Sequence, residues 1–220
     1  MAKSLLENAR DSLAGSLGCK PQSIVFTSGS TEAASLALNA HKIRCSEIEH
    51  DAVKILCETT LTTFPSGQVL VNDPSTSAVQ LANSETGIIQ DLPSDIFLSD
   101  VTQAIGKIPF SFEWLGAKRA IVSAHKFGGP KGVGALLLED NIPFSPLIVG
   151  GGQEMGRRSG TENIVGAVGM AAAAAAALVD LEKGVWSRVE ELRNILENSI
   201  EESFNETIFV GKGTKRLPNT

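Results

Sequence analysis

The 220-residue sequence predicts an α/β fold in which a mostly parallel sheet carries helices on both faces. Three observations lead there. Short runs rich in β-branched residues recur along the chain, and several are apolar throughout, as strands buried on both faces must be. Most are separated by enough residues for a crossover connection. Beyond Ile164 the composition turns to helix formers, with an unbroken alanine run over 171–177.

Taken in order, Leu5, Leu6, Ala9, Leu13 and Leu17 repeat at helical spacing, and Gly18 supplies a stop. Residues 23–26 read as a strand that runs into Thr27, Ser28, Gly29, Ser30 and Thr31, and residues 32–40 read as a helix. Further strand-like runs fall at 43–48, 68–71, 78–81, 96–98, 120–122 and 133–138, with a helix expected over 51–58. The alanine run has apolar flanks, which favours a buried, closely packed helix over low-complexity disorder. Val185, Val189, Leu192, Leu196 and Ile200 then continue a helical stripe, and residues 216–220 read as the beginning of another strand.

Composition narrows the function. Hydrophobic residues make up 42% and charged residues 20%, which excludes intrinsic disorder and collagen-like repeats. A net charge of −6 and a pI near 5.2 argue against holding nucleic acid through a clustered basic face. No apolar run is expected to reach the ~18 residues that span a bilayer, and the start lacks a signal-peptide core. A cytoplasmic protein without a membrane partner is the expectation. Cys19, Cys45 and Cys57 fit neither a disulfide framework nor a zinc spacing and read as small buried hydrophobes, and no metal site is expected.

In an open parallel sheet, ligands bind beyond the carboxyl ends of the strands. The residues following the expected strands are Ser28 to Thr31, then Glu49 and His50, then Asn83, then Asp100 and Gln103, then Ser123, His125 and Lys126. Each alone has an ordinary explanation as a cap, a turn or a surface residue. Together they read as a site. Hydroxyls and free N–H groups at a helix start suit a phosphate, an aspartate suits a protonated ring nitrogen, and a partly desolvated lysine suits a Schiff base. Those three parts describe a pyridoxal-phosphate site. No GxxxxGK[ST] loop or GxGxxG turn is present, so nucleotide binding is not expected.

The motifs FTSGSTEA (26–33), EH (49–50), ANSETG (82–87) with Gln90, DVTQAIGKIP (100–109), SAHKFGGPKGVGA (123–135) and GGGQEMGRRSGTEN (150–163) run in the order of one family. On them the chain resembles class V aminotransferases of the cysteine desulfurase type, whose large domain has the type I fold of pyridoxal-phosphate-dependent transferases. The resemblance implies that Lys126 carries the cofactor and moves the substrate α-proton. It implies that His50 stacks on the ring, Asp100 pairs with the pyridinium nitrogen and Gln103 bonds the phenolic oxygen. Ser30, Thr31, Ser123 and His125 would hold the phosphate, Asn83 would lie near the substrate carboxylate, and Thr161 would reach the phosphate of a neighbouring subunit. It thus implies a homodimer acting on L-cysteine, giving alanine and a protein-bound persulfide for sulfur-acceptor proteins, as in iron–sulfur cluster assembly.

The resemblance also places the attacking cysteine and the carboxylate-binding arginine beyond Thr220, and a further wall of the site before Met1. On that reading residues 1–205 are the cofactor-binding large domain and 206–220 the start of a small domain, and the chain would be inactive for desulfuration. Ser84 stands where relatives often carry asparagine. Another class V reaction (an aminotransferase, a selenocysteine lyase or a kynureninase-like cleavage) and a non-catalytic binding or dimerisation module are the alternatives.

Overall fold

The computed structural model describes residues 2–204 and 206–220. The expected boundary between residues 205 and 206 falls on Asn205, outside the described residues. The elements are α1 (Ala2–Leu17), β1 (Ile24–Thr27), α2 (Ser30–Leu38), β2 (Arg44–Ser46), α3 (Asp51–Lys54), β3 (Glu58–Leu61), β4 (Ser99–Asp100), α4 (Phe112–Leu115), β5 (Arg119–Ser123), β6 (Gly134–Leu138), α5 (Ile164–Glu182) and α6 (Val185–Ser203).

Four strands pair in the order β1-β6-β5-β4, and β2 pairs with β3. An extended segment, residues 77–82, joins the two groups through parallel bridges from Ser77 to Arg44 and from Ala78 to Leu98. Its backbone bonds are sound: Ala78 N–H to Arg44 O and Leu81 N–H to Asp100 O are both 2.8 Å. The sheet therefore runs β3-β2-(77–82)-β4-β5-β6-β1, and β6 is the strand that runs antiparallel to its neighbours. The mostly parallel α/β sheet expected from sequence is present.

Its strands are apolar throughout because both faces are covered. Ile24 and Phe26 of β1 enter one cluster with α1 and α5, while Val25 enters another with α2. Ala120 and Val122 divide from Ile121 in the same way, as do Ala135 and Leu137 from Leu136 and Leu138. Helix cover reaches the strands from β1 to β4, β2 and, through Ala78, one face of segment 77–82. Residues 83–98, which connect segment 77–82 to β4, contain no helix, and residues 62–76 contain only a short 3₁₀ turn at Pro74–Thr76. Loop side chains, among them Val69, Val71 and Leu92, pack there against Val79 and Ile96 instead.

Other departures are local. The run at 68–71 forms only one antiparallel bridge, Thr63 with Val69, and 96–98 pairs by single bridges before the short β4. The helix expected over 51–58 stops after Lys54, because Glu58 opens β3 and donates its N–H to Ile43 O. The β-branched pair Thr59 and Thr60 favours that strand. Arg216 bridges Ile88, and Leu217 is buried beside Ala82 and Ile89, so the last residues pair with the 83–90 turn.

The expectation of no membrane-length run needs correcting. Helix α5 has 19 residues and a mean hydropathy of 2.0, long and apolar enough to cross a bilayer by length and composition. Packing of Ala167, Met170, Ala171 and Ala174 in the cluster shared with α1 accounts for its inner face. The alanine run is buried on that face alone: Ala172 and Ala176 are exposed, so the expected buried helix is half covered. Small side chains are what let two helices approach closely here.

Two features brace the core beneath the sheet edge. Gly134 opens β6 where a Cβ would lie 2.6 Å from Val122 O and 2.7 Å from Gly29 Cα, so only glycine fits between β5 and the turn after β1. Arg10 of α1 and Glu154 form a buried ion pair with contacts of 2.6 and 2.9 Å. Arg10 also donates to Ile24 O, and Glu154 accepts the Phe26 N–H at 2.9 Å, so the pair ties α1 and β1 to residues 152–158.

Candidate active site

Strands β1, β2, β4, β5 and segment 77–82 share one direction, so their carboxyl ends lie along one edge of the sheet. This edge brings together Ser28 to Thr31, Glu49 and His50, Asn83, Asp100, and Ser123 to Lys126.

The turn after β1 leads directly into α2, whose first helical bond is Ala33 N–H to Gly29 O. The preceding N–H groups of Ser30, Thr31 and Glu32 are left facing outward with the positive end of the helix dipole. Beside them Ser123 Oγ and His125 Nδ1 lie 2.9 Å apart, and a Cβ on Gly29 would come within 3.9 Å of the Ser123 hydroxyl. The helix start and the Ser123–His125 pair thus form one concave cradle. Burial, then the charges of Lys126 and Lys131, hold His125 below its ordinary pKa. A neutral imidazole can donate one hydrogen bond to an anion, as a hydroxyl can.

Glu32 closes the cradle from outside. It accepts the Ser28 N–H at 2.8 Å and pairs with Arg158 at 2.7 Å. Burial works to raise its carboxyl, but Arg158 and the Ser28 bonds prevail and hold it below the usual carboxylate range. Sequence reasoning passed over Glu32 and Arg158. A serine followed within one turn by a glutamate at a helix start was the available signal for the first.

Asp100 ends β4 half-buried, with Oδ1 accepting the Thr102 N–H at 2.9 Å. Burial pushes its carboxyl up, while Thr102 and the nearby charges of His50 and Lys126 pull it down. Those two charges act on Asp100 because the edge brings all three together. His50 caps α3, its Nδ1 accepting the Ala52 N–H at 3.1 Å, which places the neutral ring's proton on Nε2. Lys126 is exposed on the 3₁₀ turn Ala124–Phe127, just past β5. It lines a cavity of about 370 Å³ with Lys107, Phe127, Ala173, Asp180 and Trp186.

Asn83 is buried, and its side-chain amide is committed to its own turn and to Ile48. Its Oδ1 accepts from the Glu85 and Thr86 N–H groups and the Thr86 hydroxyl, and its Nδ2 donates to Ile48 O. Gln103 accepts a bond from Lys107 Nζ at 2.8 Å. Thr161 is exposed and lines a separate cavity with Ser28, Gly132 and Arg158, which Lys126 does not line.

Glu49, read from sequence as a strand-end residue and part of the EH motif, was assigned no role there. Its Oε1 accepts the Gln80 N–H at 2.9 Å, while the buried Oε2 has no partner among the described residues. Burial drives this carboxyl well above its ordinary value, opposed by Gln80 and reinforced by Asp100 and Cys45. A raised folded-state pKa means that the folded protein holds more protons than the unfolded chain above about pH 4. That contribution to stability therefore falls as pH rises from there. Glu49→Gln should gain stability relative to wild type between pH 5 and pH 8, read as the difference in urea midpoints. A difference constant across that range would overturn this assignment.

The residues fit pyridoxal phosphate: a cradle of N–H, hydroxyl and imidazole donors, a carboxylate at the adjoining strand end, and an accessible lysine between them. Cys19 is half-buried, its thiol pushed up to about 12 by burial and by Glu113. Cys45 is buried and Cys57 half-buried, consistent with packing roles.

The family model for aminotransferase class-V matches residues 51–220. The chain belongs to that family. A cysteine desulfurase IscS of Dictyoglomus turgidum is 32% identical over 252 aligned positions, covering 99% of this chain and 64% of the relative. A cysteine desulfurase of Enterobacter agglomerans is 34% identical, covering 98% of this chain and 62% of its own length. A solved NifS-like protein superposes with a TM-score of 0.86 at 33% identity, covering 99% of this chain and 69% of that one. This class V chain thus spans less than two thirds of the curated relatives' length. An alignment of 252 positions against 220 residues leaves at least 32 that only the relative fills.

Proposed function

We infer that the chain binds pyridoxal 5'-phosphate and forms the cofactor-binding part of a cysteine desulfurase. The observation that carries this reading is the convergence of Asp100, His50 and Lys126 beside the α2 cradle. Bound there, pyridoxal phosphate supplies an electron sink for the pair released at the substrate's α-carbon.

The chain's own residues do the rest. The Ser30, Thr31 and Glu32 N–H groups, with the Ser123 and His125 donors, hold the phosphate dianion. Asp100, ionised against a ring cation, would keep that ring protonated, and the cost of ionising a carboxyl that burial pushes up is what this partner would offset. Lys126 Nζ carries the covalent link and takes the α-proton. His50 covers the ring face and offers its Nε2 proton.

Desulfuration also requires a thiol that accepts sulfur. Cys19 and Cys57 are half-buried and Cys45 is buried, so none of the three is assigned that role. A homodimer, in which exposed Thr161 reaches a second copy's phosphate, and cytoplasmic action with sulfur-acceptor proteins complete the reading.

Protein loaded with pyridoxal phosphate should show a visible absorption band that borohydride bleaches. L-cysteine should perturb the band, and sulfide release should stay at the level of free cofactor. A band that answers to L-alanine or L-kynurenine but not to L-cysteine would refute the substrate assignment.

A further inference from the structure

Lys107 lies outside every role described so far, yet it is one of the few buried cations of the molecule. It sits at the end of the tight turns that follow β4, with its own N–H bound to Ala104 O. It is 8% exposed, and its Nζ is 2.8 Å from Gln103 Oε1. An ammonium can only donate, so the contact fixes which end of the Gln103 amide faces it. The oxygen is held by Lys107, and the NH₂ is turned away as a donor. We propose that Lys107 is a positioning residue that locks Gln103 as a hydrogen-bond donor toward the phenolic oxygen of the cofactor.

An unrestrained glutamine can present either end. Presenting the oxygen to a phenolate would set two acceptors against each other, so the lock has a direct electrostatic consequence. Lys107 is buried beside a largely apolar cavity whose other charged lining groups are Lys126 and Asp180, so few competing acceptors are offered to its ammonium. Burial, and then the charge of Lys126, hold Lys107 below its ordinary pKa. Its ammonium is therefore kept in place by specific contacts rather than by solvent.

The inference rests on the pyridoxal-phosphate reading. Its test is the pH titration of the visible band of the loaded protein, a readout separate from turnover. A donor on the phenolic oxygen favours its anionic form and weakens the proton held at the neighbouring nitrogen. Lys107→Met should therefore make the band titrate at roughly tenfold lower proton concentration, while Lys107→Arg, which keeps charge and donors, should titrate close to wild type. Lys107→Gln, uncharged but still a donor, serves if the methionine variant does not fold, and should fall between the two.

A double-mutant cycle isolates the path. In a Gln103→Leu background, Lys107→Met should add no further shift, because its only route is gone. An equal shift in both backgrounds would show a long-range charge effect and overturn the proposal. So would Lys107→Met and Lys107→Gln titrations that match wild type. If wild-type protein shows no borohydride-sensitive band, the cofactor reading itself falls, and this proposal with it.

Discussion

Lys126→Ala should abolish the visible band of the loaded protein and all borohydride-fixed cofactor, while far-UV circular dichroism and the urea midpoint stay unchanged. Both halves follow from position. Lys126 is exposed on a short 3₁₀ turn, and no hydrogen bond or ion pair of the described residues uses its Nζ. Losing an exposed side chain costs little stability. Its amine is the proposed nucleophile, close enough to Asp100 and to His125 of the cradle for its charge to act on both. Weak, reversible retention of the cofactor should remain, because the cradle donors are untouched. A band that survives in Lys126→Ala would mean that another amine carries the cofactor, and Lys107 is the one that shares the cavity.

The largest loss of stability should come from Glu154→Ala. Both partners of the Arg10–Glu154 pair are almost wholly buried, with side chains 4% and 3% exposed. Removing the carboxylate leaves the buried guanidinium with only half-exposed Glu7, 3.2 Å from its Nε, as a counter-charge, so the cost approaches the about 3–5 kcal/mol of a broken buried pair. It also strips the Phe26 N–H of its partner. Glu154 and Met155 adopt left-handed backbone angles, φ 50° and 58°, so the ion pair also holds a strained turn in place. Arg10→Met combined with Glu154→Leu should recover part of the loss, because no buried charge is then left alone. Recovery should stop short of wild type at the orphaned Phe26 N–H. Urea unfolding of the single and double variants measures this. A Glu154→Ala midpoint near wild type would show that the pair adds nothing to the fold.

Much of this was legible in the sequence, for identifiable reasons. Strands β1, β5 and β6 announced themselves because burial on both faces demands unbroken apolar runs, and α1 did because its stripe repeats at 3.6 residues. The segments at 78–81 and 96–98 were found as strands, yet they pair by single bridges, since register depends on neighbours distant in the chain. The helix over 51–58 was drawn too long. Nothing local to Ile55 or Leu56 reveals that Glu58 will bond to Ile43 across the sheet. Helix cover over the whole sheet was expected because the gaps were long enough, but the chain fills 62–76 and 83–98 with loops.

The candidate site divides along the same line. Residue types at strand ends already named Lys126, His50, Asp100, Gln103, Ser123 and His125, because a polar residue after an apolar strand marks the ligand edge of a parallel sheet. Sequence carried the chemistry of each group. It could not carry their mutual orientation: that Asn83 spends its amide on its own turn and on Ile48, that Glu32 and Arg158 clamp the cradle, or that Lys107 holds Gln103 by its oxygen. Those are pairings between residues as many as 126 positions apart. Local propensity and periodicity decide which atoms are available, whereas hydrogen bonds and ion pairs across the fold decide which way they point, and only burial in the folded chain gives those contacts their strength.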